Sequence, residues 1–164
     1  MMKIVNFNDL EEKDFLELEN LDAKFVQKYG DSFADSYWSC DNFSYVLPLK
    51  YALSYVVTID GIIEGYCVAS LKNDCIYVHR FAVNSNTKIR SNFFNELLKQ
   101  YGNKKIYLMV NVVNNAAINF YNKFNFKIVE EIKEINSFIA QDLNVNKEEI
   151  IITEDYRCYL MKKI

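Results

Sequence analysis

The hydrophobic pattern of the chain is most regular in its middle, where a strand-like segment leads into a helix-like one. Residues 75–83 alternate between apolar and polar, which predicts a strand, and residues 84–87 are small and polar, which predicts a turn. From residue 88 the apolar positions recur every three to four residues, at Ile89, Phe93, Phe94, Leu97, Leu98 and Tyr101. This spacing predicts an amphipathic helix, and Gly102 is typical of its end.

The same order of elements then repeats. Residues 106–110 form a near-continuous apolar run, which is typical of a strand that is covered on both faces. Asn114 or Asn115 is a suitable cap for a second helix, whose apolar face carries Ala117, Phe120, Tyr121 and Phe124. A strand–helix–strand–helix unit predicts two parallel strands joined by a right-handed crossover.

The segments before this unit predict a helix and an antiparallel hairpin. Residues 3–7 suggest a short strand, after which Asn8 is expected to cap a helix with Glu11 in capping-box position. That helix turns Phe15, Leu18, Leu21 and Phe25 inward and ends by Gly30. Residues 51–60 and 62–71 are predicted strands joined at Asp60-Gly61, a strong hairpin signal.

The last part of the chain predicts the remaining strands. The turn at Asn73-Asp74 makes strands two to four an antiparallel meander, and residues 127–132 and 156–164 are further strands. Residues 133–155 form an extended connection that could cover the functional site or form a dimer surface. We therefore expect one α/β (α+β) domain over residues 1–164, with a mixed, mostly antiparallel sheet of about seven strands flanked by helices.

Composition and charge exclude several classes of protein. The 164 residues carry a net charge of −3 without a clustered basic patch, which argues against a nucleic-acid partner. Asp60 and Glu64 interrupt the most hydrophobic region, so no apolar run long enough to cross a membrane is present, and the first residues lack a signal-peptide pattern. Four cysteines without C-x-x-C spacing suggest buried free thiols in the reducing cytoplasm. One histidine without ligand spacing gives no support for a metal site.

Two stretches resemble the GNAT superfamily of N-acetyltransferases. Tyr77-Val-His-Arg-Phe-Ala-Val83 is similar to the fourth strand of that family, and Asn114-x-x-Ala117-x-x-x-Tyr121-x-x-x-x-Phe126 is similar to its later motif, N-x-x-A-x-x-x-Y-x-x-x-G-F. The loop between them departs from the family pattern, Arg-x-x-Gly-x-Gly or Ala. The matching positions are Lys88, Ser91 and Phe93, so both glycines are absent.

The resemblance implies that acetyl-coenzyme A is the acetyl donor. Its pyrophosphate would bind at the start of the helix after the fourth strand, near Lys88, Ile89, Arg90 and Ser91, where N–H donors attract an anion. The alternative is an ordinary capped helix. The pantetheine arm would pair with the backbone of Phe81, Ala82 and Val83, which requires the parallel fourth and fifth strands to splay apart. Asn114 and Ala117 would contact this arm, although Asn114 can equally be a plain helix cap.

The resemblance also suggests residues for proton transfer. Tyr121 would protonate the leaving thiolate as general acid, and the alternative is a buried tyrosine with a structural hydrogen bond. His79, the only histidine, is a candidate for the general base, because some family members carry a histidine there; the alternative is a histidine at a polar strand interface. Glu64 is the second candidate base. A covalent cysteine mechanism is not favoured, because the cysteines lie in apolar runs.

The expected function is transfer of an acetyl group directly to a primary amine of a small molecule or protein. In the family, the region between the first two strands forms a wall of the acceptor site, for which the chain offers Tyr37, Trp38, Phe43 and Tyr45, or else these are core residues. The alternative function is a GNAT-fold binding or regulatory module that has lost activity together with the glycines. The sequence leaves open whether the chain is a homodimer.

Overall fold

A computed structural model describes residues 1–30, 33–34, 36–132 and 158–164 of the chain. The strands are β1 Met2–Asn6, β2 Tyr55–Ile59, β3 Ile62–Lys72, β4 Cys75–Val83, β5 Ile106–Asn111, β6 Phe126–Ile132 and β7 Cys158–Lys163. The helices are α1 Glu12–Tyr29, α2 Cys40–Ser44, α3 Lys50–Leu53, α4 Thr87–Tyr101 and α5 Asn115–Lys123, and a short 3-10 turn covers Phe7–Asp9.

The seven strands form one mixed sheet in the order β1-β2-β3-β4-β5-β7-β6, with β4 parallel to β5. This confirms the predicted sheet. The last strand, β7, lies between β5 and β6 and is antiparallel to both; Met161 is the register partner of Leu108 on one side and of Ile128 on the other. The predicted splaying of β4 and β5 stays a prediction, and the connection 133–155 lies outside the described residues.

Both hairpin turns adopt the backbone conformation that the sequence predicts. Asp60 and Gly61 have φ angles of 51° and 84°, and Asn73 and Asp74 have φ angles of 49° and 63°. Positive φ at both central residues is the type I′ geometry, which matches the twist of the flanking strands and which Asn, Asp and Gly tolerate best. These two turns fix the meander β2-β3-β4.

Two local expectations were wrong. Helix α1 begins at Glu12 and has Glu11 as its N-cap, with Asp14 completing the capping box, whereas Asn8 lies in the 3-10 turn. The helix starts later in the sequence than expected, because the 3-10 turn lies between β1 and the helix. Residues 51–53, predicted as strand, belong to α3, which follows Leu49 in a left-handed conformation with φ 55°.

The described residues divide into two compact units, Met1–Leu71 with Val78–Asn103 and Lys72–Tyr77 with Lys104–Ile164. The prediction of a single domain stays a prediction. The first unit has a core of aromatic and aliphatic side chains from the 3-10 turn, α1, α2, β2 and β3, including Phe7, Leu18, Phe25, Phe43, Val56, Tyr66 and Val68. The inward face predicted for α1 is confirmed by the burial of Phe15, Leu18, Leu21 and Phe25.

In the second unit, most of the buried side chains come from β5, α5, β6 and β7. They include Ile106, Leu108, Val110, Phe120, Phe126, Ile132 and Met161. Alternate positions of β5 are buried, so this strand is half-covered and not the fully covered strand that its apolar run predicted. Among the described helices, none has the length and the apolar character that crossing a membrane requires.

Candidate active site

The end of β4 is anchored on α4 by aromatic packing. The Phe81 ring stacks on Phe93, with ring centroids 5.9 Å apart, and meets Phe94 edge-on at 5.0 Å. Phe93 is completely buried. A buried core ring therefore occupies the position where the family has its last glycine or alanine.

The start of α4 is capped by Asn86. Its side-chain Oδ1 accepts a hydrogen bond from the Ile89 N–H at 3.0 Å, and its carbonyl accepts one from the Arg90 N–H at 3.2 Å. Two of the N–H donors predicted to bind pyrophosphate, those of Ile89 and Arg90, are thus satisfied within the protein. The N–H groups of Thr87 and Lys88 have no acceptor within the helix, by the geometry of any helix start. The dipole of this 15-residue helix adds positive potential at the same place.

The predicted cationic residues at this helix start differ in position. Lys88 is exposed, whereas Arg90 and Ser91 are half-buried. The Arg90 guanidinium reaches back along the helix, and its Nη2 lies 3.4 Å from the carbonyl oxygen of Val83, the last residue of β4. The structure therefore brings Arg90 and Val83 together, and Lys88 remains the more accessible charge.

Glu64 lies beside the same end of β4. Its carbonyl oxygen accepts a hydrogen bond from the Asn84 N–H at 2.6 Å, and its side chain is half-buried. The residue that follows it, Gly65, is buried in β3. The backbone of β3 at Glu64 and Gly65 is therefore level with the point where β4 ends.

His79 lies farther back along the sheet. Its Nε2 is 2.6 Å from the hydroxyl oxygen of Ser70, which is completely buried on β3. Ser70 and Glu64 are six residues apart on one strand, or about 20 Å at the rise of a β-strand. The two candidate bases are therefore not brought together, and His79 is held by a serine that the sequence did not indicate.

In the second unit, Asn114 and Tyr121 lie on α5. The Asn114 Oδ1 accepts a hydrogen bond from the Ala117 N–H at 3.1 Å, which confirms the predicted cap. Tyr121 is 8% exposed, and its ring packs between Phe120 and Phe126 with centroid distances of 5.5 and 5.8 Å. The predicted inward orientation of Tyr121 is confirmed.

Asn125 explains how the later motif tolerates the loss of its glycine. It follows α5 at the position where the family motif has glycine, and its φ is 66°. Asparagine is the residue that adopts this left-handed conformation most readily after glycine, because its short side chain bonds locally. Asn125 therefore adopts a conformation that glycine, the residue of the family motif, also favours.

The four aromatic residues proposed for the acceptor wall separate into two groups. Phe43 is completely buried against Trp38 and Tyr66, and Trp38 is half-buried against the same core, so these two belong to the core. Tyr37 and Tyr45 are 52% and 66% exposed. The aromatic pattern alone did not distinguish these two environments.

A buried ion pair next to this region was not predicted. Arg80 on β4 donates to both carboxylate oxygens of Asp22 on α1, from Nε and Nη2, at 2.8 Å each. The Tyr66 hydroxyl and the backbone N–H of Trp38 also donate to this carboxylate. Burial, followed by the charge of Asp22, raises the pKa of Tyr66 well above its usual value. The available sequence signal was Asp22 itself, which stands on the apolar stripe between Leu18 and Phe25.

The thiol that α4 covers is not suited to covalent catalysis. Cys67 is completely buried, its Sγ lies 3.6 Å from the Tyr101 hydroxyl, and burial raises its pKa to about 12. The nucleophilic form of a cysteine is the thiolate, so this side chain is inert at neutral pH. In the described part of the chain, no three metal-ligating side chains lie close enough to share an ion.

No family model matches the sequence, and no curated protein matches it. Solved structures do. One is Arabidopsis thaliana Naa50 in complex with the bisubstrate analogue CoA-Ac-MVNAL, at 19% identity and a TM-score of 0.66, over 99% of this chain and 98% of that one. A second is the ribosomal-protein-S18-alanine N-acetyltransferase from Escherichia coli, at 15% identity and a TM-score of 0.69, over 99% and 93%.

A third is the acetyltransferase of GNAT family from Streptococcus pneumoniae, at 16% identity and a TM-score of 0.62, over 99% and 98% of the two chains. The chain has the GNAT fold. The resemblance noted in two short stretches thus extends along nearly the whole sequence at the level of fold. The predicted site residues lie on β3, on β4, in the first turns of α4, and on α5 with its Asn114 cap.

Proposed function

We propose that the chain is an acetyl-coenzyme A-dependent N-acetyltransferase that transfers the acetyl group directly to a primary amine. The observation that carries this proposal is the end of β4 within a GNAT fold. There the backbone of Phe81, Ala82 and Val83 leads through Asn86 into a capped helix start. Strand backbone followed by helix N–H donors suits a ligand that has a peptide-like arm and a pyrophosphate.

Within this proposal, the pyrophosphate binds at the Thr87 and Lys88 N–H groups, with the exposed Lys88 ammonium as counter-charge. Arg90 contributes less, because its guanidinium is directed to Val83. The arm runs back along β4 from the helix start. The family resemblance implies Asn114 and Ala117 as further contacts of this arm. Backbone N–H groups of β4 would stabilise the oxyanion that forms when the amine attacks the thioester carbonyl.

The direction of the arm distinguishes the two candidate bases. Glu64 is level with Asn84, at the end of the site where the phosphates would lie, and like charges repel there. His79 lies four residues before Val83, toward the end where the acetyl group would lie. We therefore assign proton removal from the amine to His79. Tyr121 is assigned to protonate the departing thiolate, as the general acid.

The acceptor is best described as the amine of a peptide or protein. The segment between α1 and β2 exposes apolar and aromatic side chains, namely Tyr37, Tyr45, Val46 and Leu49, each more than half exposed. Such a surface suits the side chains of a peptide better than a polycation. The Arabidopsis protein was captured with a peptide-bearing bisubstrate analogue, and the Escherichia coli protein is named for an alanine of a ribosomal protein, in agreement with this choice.

The alternative is a GNAT-fold module that binds a ligand without catalysis. One observation that favours it is the Asn86 side chain, which occupies the Ile89 N–H and so removes a donor at the helix start. The second is Phe93, a buried ring where the family has its last glycine or alanine. A non-catalytic module would bind its ligand without releasing coenzyme A, whereas the enzyme would release it when an amine is present.

Calorimetry with acetyl-coenzyme A and a thiol-release assay test the proposal together. The assay would offer pentapeptides that differ in their first residue. We expect binding, an increased melting temperature and release of coenzyme A that depends on a free peptide amine. Ser91→Gly should tighten binding, and Lys88→Ala should weaken it most at low salt. Binding of acetyl-coenzyme A without release of coenzyme A in the presence of any of the peptides would support the non-catalytic module. No binding of acetyl-coenzyme A would reject both the enzyme and this module.

A further inference from the structure

Gly65 on β3 lies so close to the end of β4 that a residue with a side chain would not fit at this position. A Cβ atom placed on Gly65 would be 2.7 Å from the Ala82 carbonyl oxygen, 2.8 Å from Val83 Cγ2 and 2.9 Å from Val83 Cα. All three distances are shorter than Cβ atoms tolerate, and two of the three atoms belong to the backbone. A side chain at this position would therefore have to displace β4 itself.

The φ of Gly65 is not the reason for this glycine. Gly30, Gly61 and Gly102 have positive φ and open space around them, so they serve turns and helix ends. Gly65 has ordinary strand conformation and is buried. A strand glycine of this kind marks a close approach of backbones.

Two hydrogen bonds hold the end of β4 at the same place where Gly65 approaches it. The Asn84 N–H donates to the Glu64 carbonyl at 2.6 Å, one residue from Gly65, and the Arg90 Nη2 lies 3.4 Å from the Val83 carbonyl. Because the Ala82 carbonyl is directed at Gly65, it faces β3. The Val83 carbonyl, which alternates with it, lies toward Arg90 instead. The end of β4 is thus held against β3 along one edge.

We propose that Gly65 is a positioning residue for cofactor binding. By admitting the β4 backbone at Ala82 and Val83, it sets the place of the strand edge that the pantetheine arm pairs with. This inference rests on the proposed function. Gly65 itself does not touch the cofactor; it acts through the position of β4. Restoring ordinary contact distances after adding a Cβ requires a shift of roughly 0.5–1 Å, and misplacement of about 1 Å can cost about 100-fold in rate.

The test compares Gly65→Ala with Val56→Ala, which removes buried methyl groups from β2 in the same unit. Affinity for acetyl-coenzyme A is measured by calorimetry at a temperature where each variant is folded. We expect Gly65→Ala to lose at least 10-fold in affinity for acetyl-coenzyme A. Val56→Ala should keep its affinity within 2-fold of the wild-type protein, even when its unfolding free energy falls by as much as that of Gly65→Ala. Equal affinity in both variants, with the wild-type protein binding normally, would overturn the role of Gly65.

A measurement on the wild-type protein covers the case in which Gly65→Ala does not fold. Hydrogen exchange of the peptide that contains Asn84 is followed with and without acetyl-coenzyme A. If β4 is held in place beforehand, the Asn84 amide exchanges slowly in both states. Fast exchange without cofactor that slows on binding would show that the cofactor, and not Gly65, positions the strand. Failure of the wild-type protein to bind at all would reject the proposed function instead.

Discussion

Arg80 on β4 and Asp22 on α1 form a bidentate ion pair in the interior of the first unit. Both of its hydrogen bonds measure 2.8 Å; the Asp22 side chain is completely buried and that of Arg80 is 11% exposed. The guanidinium also lies 4.8 Å from the Phe33 ring and 4.9 Å from the Trp38 ring, and it donates to the Ser36 carbonyl at 3.0 Å. One side chain of β4 thus holds the segment that precedes α2.

Removing either charge of this pair should destabilise the protein strongly. We expect Asp22→Asn and Arg80→Met each to lower the unfolding free energy by about 3–5 kcal/mol, because each leaves an uncompensated charge in the interior. Urea unfolding measures the loss. The control is the exposed pair of Lys99 and Glu96, 3.0 Å apart, where Lys99→Met should change stability by less than about 1 kcal/mol. Equal losses in both pairs would contradict the account.

The sequence predicts the local elements that carry Asp22 and Arg80, but it does not predict their pairing. The elements were predictable because each depends on local pattern: β4 and the hairpin turns at Asp60-Gly61 and Asn73-Asp74 were found where they were expected. Asp22 and Arg80 are 58 residues apart, and no local pattern joins them. Their pairing depends on the packing of α1 on the sheet, which only the tertiary structure provides.

The site residues divide in the same way. The Asn114 cap and the inward Tyr121 follow from helix periodicity, so they were predicted correctly. Ser70 beside His79 and Gly65 beside Val83 are contacts between neighbouring strands. Such contacts depend on register, and a shift of one residue moves a side chain to the other face of the sheet. The sequence pattern does not determine this register, so it did not predict the two contacts between strands.

Lys50 should give the protein a stability that depends on alkaline pH. It is 2% exposed, its Nζ donates to the carbonyls of Asn42 and Tyr45 at 2.9 and 2.7 Å, and burial lowers its pKa to about 8. Below pH 8 both the folded and the unfolded state carry the proton. Between about pH 8 and the unfolded pKa of about 10.4, only the unfolded state does, so stability rises with pH.

The comparison with Lys50→Met isolates this effect, since other titrating groups cancel. We expect the wild-type protein to gain about 1–2 kcal/mol over the variant between pH 8 and pH 10. This is less than the full pKa shift would give, because the two carbonyls also favour the charged form. Denaturant unfolding at several pH values measures the difference. A difference that stays constant across this range would show that Lys50 has an ordinary pKa in the folded protein.

His79 should determine the pH dependence of turnover. If it is the base, kcat/KM rises with pH through one inflection in the wild-type protein, and His79→Gln removes that inflection. Ser70→Ala should move the inflection, because it removes the hydroxyl that lies 2.6 Å from the His79 Nε2. A profile unchanged by His79→Gln would transfer the role to Glu64 or to solvent, and Glu64→Gln is the variant to examine next.

Tyr121 provides the sharpest separation between catalysis and packing. Tyr121→Phe keeps the ring between Phe120 and Phe126 and removes only the hydroxyl. If this hydroxyl protonates the departing thiolate, kcat should fall by about 100- to 10,000-fold, or roughly 3–5 kcal/mol in activation free energy, while the affinity for acetyl-coenzyme A stays within a few-fold.

The matched control is Tyr101→Phe, which removes a buried phenol of known structural role. The Tyr101 hydroxyl donates to the Leu53 carbonyl at 2.7 Å, and burial raises its pKa well above the usual value. Its loss should cost about 1–3 kcal/mol in unfolding free energy, since a buried acceptor is left unpaired, with turnover preserved. Tyr121→Phe should show the opposite pattern, slow turnover in a protein of nearly normal stability. If the two variants behave alike, Tyr121 is a structural tyrosine and the thiolate takes its proton from elsewhere.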